Sequence, residues 1–192
     1  MLFTRLISNF ARFLVIGFTV SYFNQFLIPI IGIKPDTCSF DFKIDESFFQ
    51  HFEYSEIKSG EVQVHLAMEK EEKLIKFHFS LTGYVRIPCD RCYEPLNQKI
   101  SGEEELIVKF GPDFHEESEV VQVIPEGENH FDISPFLYEY VHLLLPIRRV
   151  HPEDEEGHSE CNPEIIRLLE ASPKPAEPDP RWEILNKLKT NN

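Results

Sequence analysis

The chain has 192 residues, of which 42% are apolar and 12% aromatic, enough to build one domain with a core and too much for a disordered chain. Nineteen Lys and Arg against 33 Asp and Glu leave a formal charge of −14, a field that repels a phosphate backbone over about 8 Å at physiological salt and so disfavours general nucleic-acid binding while favouring a basic protein partner. Four cysteines, Cys38, Cys89, Cys92 and Cys161, are too few and too unevenly placed for a disulfide-built secreted fold and fit a reducing cytoplasm.

The N-terminal segment is uncharged from residue 13 to 33 after Arg5 and Arg12, a length that suits a membrane span, but Asn24, Gln25 and Pro29 interrupt it. Three readings compete: a membrane anchor, a translation start set too far upstream, and an apolar helix that runs into the first strand. Beyond Thr37 the pattern switches to period two. Cys38, Phe40, Phe42 and Ile44 share one face, so Cys38 is a core residue rather than a ligand. Asp45 caps a short helix, ESFFQHFEY, whose rings point to a sheet.

Val62, Val64, Leu66 and Met68, then Ile75, Phe77, Phe79, Leu81, Val85 and Ile87, alternate about the turn EKEEK and predict a hairpin. Its second strand runs into Pro88 and Cys89. Further strands are expected over 100–110, with Leu106, Val108 and Phe110 inward, and over 120–124, all antiparallel because the connections are too short for a crossover. Ser134 as N-cap and Pro135 at the first helical position open a helix, FLYEYVHLLL, that Pro146 stops and that should lie buried on the sheet, with His142 at its solvated edge. A polar loop with Arg148, Arg149, His151, His158 and Cys161 leads to a helix capped by Asn162 and Pro163. The segment SPKPAEPDP reads as an extended linker, and RWEILNKLK as an amphipathic helix with Trp182, Leu185 and Leu188 on one face. The fold class is therefore α+β, a mainly antiparallel β-sheet with a buried helix packed on it and short C-terminal helices. The expected organisation is an N-terminal hydrophobic extension over 1–25, an α+β domain over 26–171, a Pro-rich linker over 172–180 and a C-terminal helix over 181–192.

The chemistry concentrates in CDRCYE. A tight C-x-x-C turn can point both thiolates of Cys89 and Cys92 at one zinc ion, which then needs two more donors. His151 and Cys161 are the best placed, and His158 is the reserve. Two readings stand beside zinc. The cysteines could be small turn residues that bind nothing. They could also be a thiol oxidoreductase pair, although that chemistry calls for a helix N-terminus after the motif, and here a strand is expected. Arg86, Arg91, Arg148 and Arg149 flank the ligand segments and suit phosphate, as a local contact with RNA, or else neutralise Glu94, Asp154 and their neighbours. The acidic runs 103–105 and 153–156 read as solvated faces. No Gly-rich phosphate loop, Ser/His/Asp spacing or carboxylate pair on one helix face supplies an enzyme.

With C-D-R-C at 89–92, IVKFG at 107–111, LLLPIRRVHP at 143–152 and DPRW at 179–182, the chain resembles the YceD family, the large ribosomal RNA subunit accumulation proteins, and most closely its Bacteroidetes-type branch, over 26–189. Members of that kind usually begin near the segment matching FLIPIIGIK, which favours the mis-set start over the anchor. The resemblance implies a non-catalytic, cytoplasmic role in synthesis, processing or stability of the large-subunit RNA, in company with a basic large-subunit ribosomal protein. Many relatives carry more cysteines after the helix, where this chain has His151 and Cys161. A membrane-anchored acidic adaptor, built on the N-terminal extension, is the main alternative function.

Overall fold

The structure is a computed structural model that describes residues 22–30, 32, 37–52 and 54–171. The linker 172–180, the helix 181–192 and most of the extension 1–25 lie outside the described residues. Contacts divide the chain into two units, one running up to Pro88 and resuming over Pro95–Arg149, the other made of Cys89–Glu94 and the chain from Val150 onward.

The first unit is built on a six-stranded sheet. Its strands are β2 (Thr37–Ile44), β3 (Ser59–Lys70), β4 (Leu74–Pro88), β5 (Pro95–Gly111), β6 (His115–Ser118) and β7 (Val121–Pro125), in the order β2-β3-β4-β5-β7-β6. The alternation in the sequence sets its inner face. Cys38, Met68, Phe77 and Leu106 form one cross-strand row, and Phe42, Val64, Leu81 and Gly102 another. Every even-numbered apolar residue of β3 from Val62 to Met68 is buried, as are Ile75, Phe77, Phe79 and Leu81 of β4. Each such side chain removed from water contributes about 1.5–3 kcal/mol before entropy is charged against it.

One expectation fails at the sheet's far edge. β7 pairs with β5 in parallel, Ile107 opposite Val121 and Phe110 opposite Ile124. The chain leaves β5, skips a place to lay β6 at the edge, and returns as β7 between them, antiparallel to β6. A short hairpin that doubles back thus does the work of a crossover, and the antiparallel rule for short connections does not cover it.

Helix α1 (Glu46–Gln50) starts where Asp45 Oδ1 accepts the Ser47 N–H at 2.9 Å, and it buries Phe48 and Phe49. Helix α2 (Ser134–Leu143) begins one residue earlier than expected. Ile133 is its N-cap, and the Ser134 N–H donates to Asp132 Oδ1 at 2.8 Å, so aspartate rather than serine does the capping. Leu137, Tyr140 and Val141 are buried, with the Tyr140 ring 5.2 Å from that of Phe79, while Leu143 is exposed. The helix is covered on one side only. Gly102 permits the approach, since a Cβ there would run into the Leu144 side chain.

The N-terminal segment also enters this core. A 3-10 turn, Asn24–Phe26, runs into β1 (Leu27–Pro29), which pairs with β8 (His130–Asp132), Ile28 opposite Phe131. Phe26, Ile28 and Ile30 are buried. Phe23 stacks on Phe48 at 5.7 Å, and the Tyr22 hydroxyl donates to Asp45 Oδ1 at 2.9 Å. A boundary at residue 25 therefore cuts through packed residues, and Phe26, Ile28 and Ile30 of the apolar run belong to the core. The described part is a helical turn that runs into a strand, and the segment before residue 22, on which the three readings differ, lies outside the described residues. No helix among the described residues is long and apolar enough to cross a membrane.

Candidate metal centre

Cys89–Glu94 forms a closed turn after β4. The Tyr93 N–H donates to the Cys89 carbonyl at 2.9 Å, the Cys89 N–H donates to the Glu94 carbonyl at 2.9 Å, and the Arg91 N–H points at Cys89 Sγ at 3.4 Å. Closing it puts Tyr93 at φ 62, the left-handed region where a side chain is costly; among the described residues no other non-glycine has a positive φ.

His151 and Cys161 stand at the two ends of a second closed loop. Glu153 bridges Ser159, the Asp154 N–H donates to the His158 carbonyl at 2.8 Å, the Glu160 N–H donates to the Pro152 carbonyl at 3.1 Å, and Gly157 turns the chain at φ 83. Asp154 Oδ1 holds the turn by accepting from the N–H groups of Glu156 and His158. Residues ten apart in sequence are thereby brought face to face, with Cys161 Sγ 3.8 Å from His151 Nδ1. The Asn162 side chain ties this loop to the first by donating to Glu94 Oε1 at 3.2 Å, and Asn162 Oδ1 caps helix α3 (Pro163–Ala171) by accepting the Glu164 N–H.

The structure brings Cys89, Cys92, His151 and Cys161 together, with one donor atom from each lying within 4.8 Å of the others. Cys89 Sγ is 3.8 Å from Cys161 Sγ, and Cys92 Sγ is 3.5 Å from His151 Nδ1. A tetrahedral zinc ion bonded at about 2.3 Å to sulfur and about 2.0 Å to nitrogen sets these separations at about 3.8 Å and about 3.5 Å. The donor types fit and these two spacings match, while the Cys161–His151 separation of 3.8 Å is a few tenths longer than the sulfur–nitrogen value. Four protein donors would close the coordination sphere, the arrangement of a structural ion rather than a catalytic one. His158 stays outside, exposed beside Asp154 and Glu156.

Burial pushes the Cys89 thiol up. The backbone N–H groups of Cys92, Arg91 and His151, joined by the His151 ring, outweigh that and bring it down to about 6. Burial raises Cys161, and the neighbouring Cys89 and Cys92 raise it further against the Ser159 hydroxyl. No helix follows the motif, since β5 begins at Pro95, so the dipole that a thiol oxidoreductase pair would draw on is missing there.

The arginines fall in both units. Arg91 meets Glu153, the neighbour of Asp154, at 3.4 Å, as expected of the acidic residues around it, and Arg149 meets Glu56 at 2.9 Å. Arg86 faces outward from β4, and Arg148 is exposed. In the acidic run 103–105, Glu103 and Glu105 face solvent, but Glu104 is half-buried in the inner-face row of Phe79 and helps raise the Tyr140 hydroxyl's pKa, after burial itself. Tyr93, Glu153 and Ser159 carry no signal in the sequence that would have singled them out. Only the fixed position after the second cysteine of a closed turn could have drawn attention to Tyr93.

No curated protein and no solved structure matches the chain at a significant level. The family described as large ribosomal RNA subunit accumulation protein YceD matches residues 77–189, more than half of the chain, a stretch that contains both closed loops and all four donors. The chain belongs to the YceD family of large ribosomal RNA subunit accumulation proteins.

Proposed function

We propose that this protein is a non-catalytic assembly factor that supports accumulation of the large-subunit ribosomal RNA in the cytoplasm, acting through a basic large-subunit ribosomal protein. The observation that carries the reading is the family match over residues 77–189. The charge of −14 supports a basic protein partner over naked RNA. Cys89, Cys92, His151 and Cys161 hold a zinc ion that staples the two loops of their unit, a role supported by the donor set and its separations. RNA contact is local and runs through Arg86, Arg91, Arg148 and Arg149. Arg86 and Arg148 are the freer pair, since Arg91 and Arg149 each already meet a glutamate.

The test is co-purification of large-subunit RNA and protein with the tagged chain. Arg86→Ala with Arg148→Ala should lower the RNA recovered and leave the protein partner bound, and raised salt should weaken both. Tight binding of naked large-subunit RNA, unchanged in that variant, would contradict the division between an acidic body and local arginines.

A further inference from the structure

Helix α3 is amphipathic, and none of its nine residues is buried. Ile165, Leu168 and Leu169 fall at i, i+3 and i+4, with Ile166 beside them. Leu168 is 67% exposed and Leu169 54%. A nine-residue helix is marginal by itself in water and draws its stability from burying such a face. Its start is fixed by the Asn162 cap and by the neighbouring Cys161, while along its apolar stripe Ile165 and Ile166 are half-buried and Leu168 and Leu169 are exposed.

The surroundings say what would cover it. Residues 89–94 and 150–171 carry nine carboxylates against two arginines, and one of the arginines, Arg91, is taken up by Glu153. Glu164 and Glu170 lie on the helix itself and Glu160 just before it, while Arg167, the second arginine, sits on the helix between the two glutamates and leaves the acidic excess in place. An apolar stripe rimmed by carboxylates repels nucleic acid and anionic lipid alike and complements a helix or strand that carries Lys or Arg beside Leu or Ile.

We infer that the Ile165–Leu168–Leu169 face of α3 is the docking surface for a basic amphipathic segment of a partner protein. This rests on the reading of the protein as a factor for a basic ribosomal protein and gives that partner its place of contact. A four-residue stripe is small, so the contact belongs at the weak, transient end of protein interfaces.

The probe is a fluorescein-labelled amphipathic peptide of Leu and Lys, tested by anisotropy on the full-length, zinc-loaded protein. Two comparison peptides go with it, one of the same composition scrambled to lose its apolar face and one with Glu in place of Lys. The Leu-Lys helix should bind, the Glu version should not, and the scrambled one should bind at least tenfold more weakly. Leu168→Glu with Leu169→Glu should weaken the first at least tenfold while zinc content and circular dichroism stay unchanged. If that pair disturbs the fold, Leu168→Ser alone should give a smaller loss in the same direction. Equal binding of the scrambled peptide, or none of the expected loss in the variants, overturns the inference. So does competition by vesicles containing anionic lipid, or a dimer that the Leu168→Glu variant abolishes.

The chain's own residues 181–189, with Arg181, Lys187 and Lys189 beside Trp182, Leu185 and Leu188, have the same chemistry. Tenfold tighter probe binding by a chain ending at residue 171 would make that tail the occupant and also overturn the proposal. If the variants lose the peptide yet still bring down large-subunit protein and RNA in full, the docking face is wrong and the ribosomal reading survives. If peptide binding behaves as expected and no ribosomal component co-purifies, the ribosomal reading fails instead.

Discussion

Replacing Tyr93 by glycine should strengthen the metal centre. Tyr93 sits at φ 62 with its side chain 84% exposed, so the ring contributes little packing while the backbone carries the strain of a left-handed residue. That strain costs a non-glycine residue about 1–2 kcal/mol. Glycine removes it but loosens the unfolded chain by about 0.4–1 kcal/mol. The net gain is about 0.5–1 kcal/mol, which appears as roughly two- to fivefold tighter zinc binding. Tyr93→Val goes the other way, because branching at Cβ makes the left-handed region worse. The assay is zinc competition against a chromophoric chelator, with urea unfolding of the zinc-loaded protein alongside. A Tyr93→Gly variant that binds zinc less tightly, or a Val variant that matches the parent, would refute the view that the turn is strained to aim Cys89 and Cys92.

Purified protein should contain one zinc per chain, with an X-ray absorption first shell of three sulfurs and one nitrogen, and Cys161→Ala should lose it; a shell dominated by oxygen would contradict the donor set. Zinc affinity should fall as pH falls, because Cys161, held above the ordinary thiol range, must give up a proton to bind. The fall should be at least tenfold per pH unit between pH 8 and 6 and steeper below about 6, where Cys89 takes its own proton; a flat profile would show that the thiols are not ligands. Tyr140→Phe should leave stability unchanged or raise it by up to about 1 kcal/mol, since the buried hydroxyl has no hydrogen-bond partner among the described residues and the ring contact with Phe79 is kept. A loss above about 1 kcal/mol in urea would mean that the hydroxyl is satisfied in solution.

The β3–β4 hairpin was fully legible because one face is buried and a one-residue slip would have turned Val62, Val64, Leu66 and Met68 to water. The β5–β7 pair was not. Its parallel register depends on where β6 folds back, and β6, His115–Ser118, is exposed throughout and has no apolar period to betray it. The N-terminal run misled for the opposite reason. A stretch built of Phe, Leu and Ile reads alike as a membrane span and as the buried end of a sheet, and for its described part the rings of Phe42 and Phe48, at 5.7 and 5.3 Å from that of Phe26, show the latter. At the candidate site the four donors were readable from residue type and spacing. Which carboxylate each arginine meets was not, because an ion pair such as Arg149 with Glu56 joins residues 93 apart in sequence.

The most direct test of the account is the ratio of large- to small-subunit ribosomal RNA in cells depleted of this protein and complemented with either the parent chain or Cys89→Ala with Cys161→Ala. Depletion should lower the large-subunit RNA and leave the small-subunit RNA in place, the parent should restore the ratio, and the cysteine variant should restore it only in part. An unchanged ratio on depletion, or an equal loss of both RNAs, would contradict it.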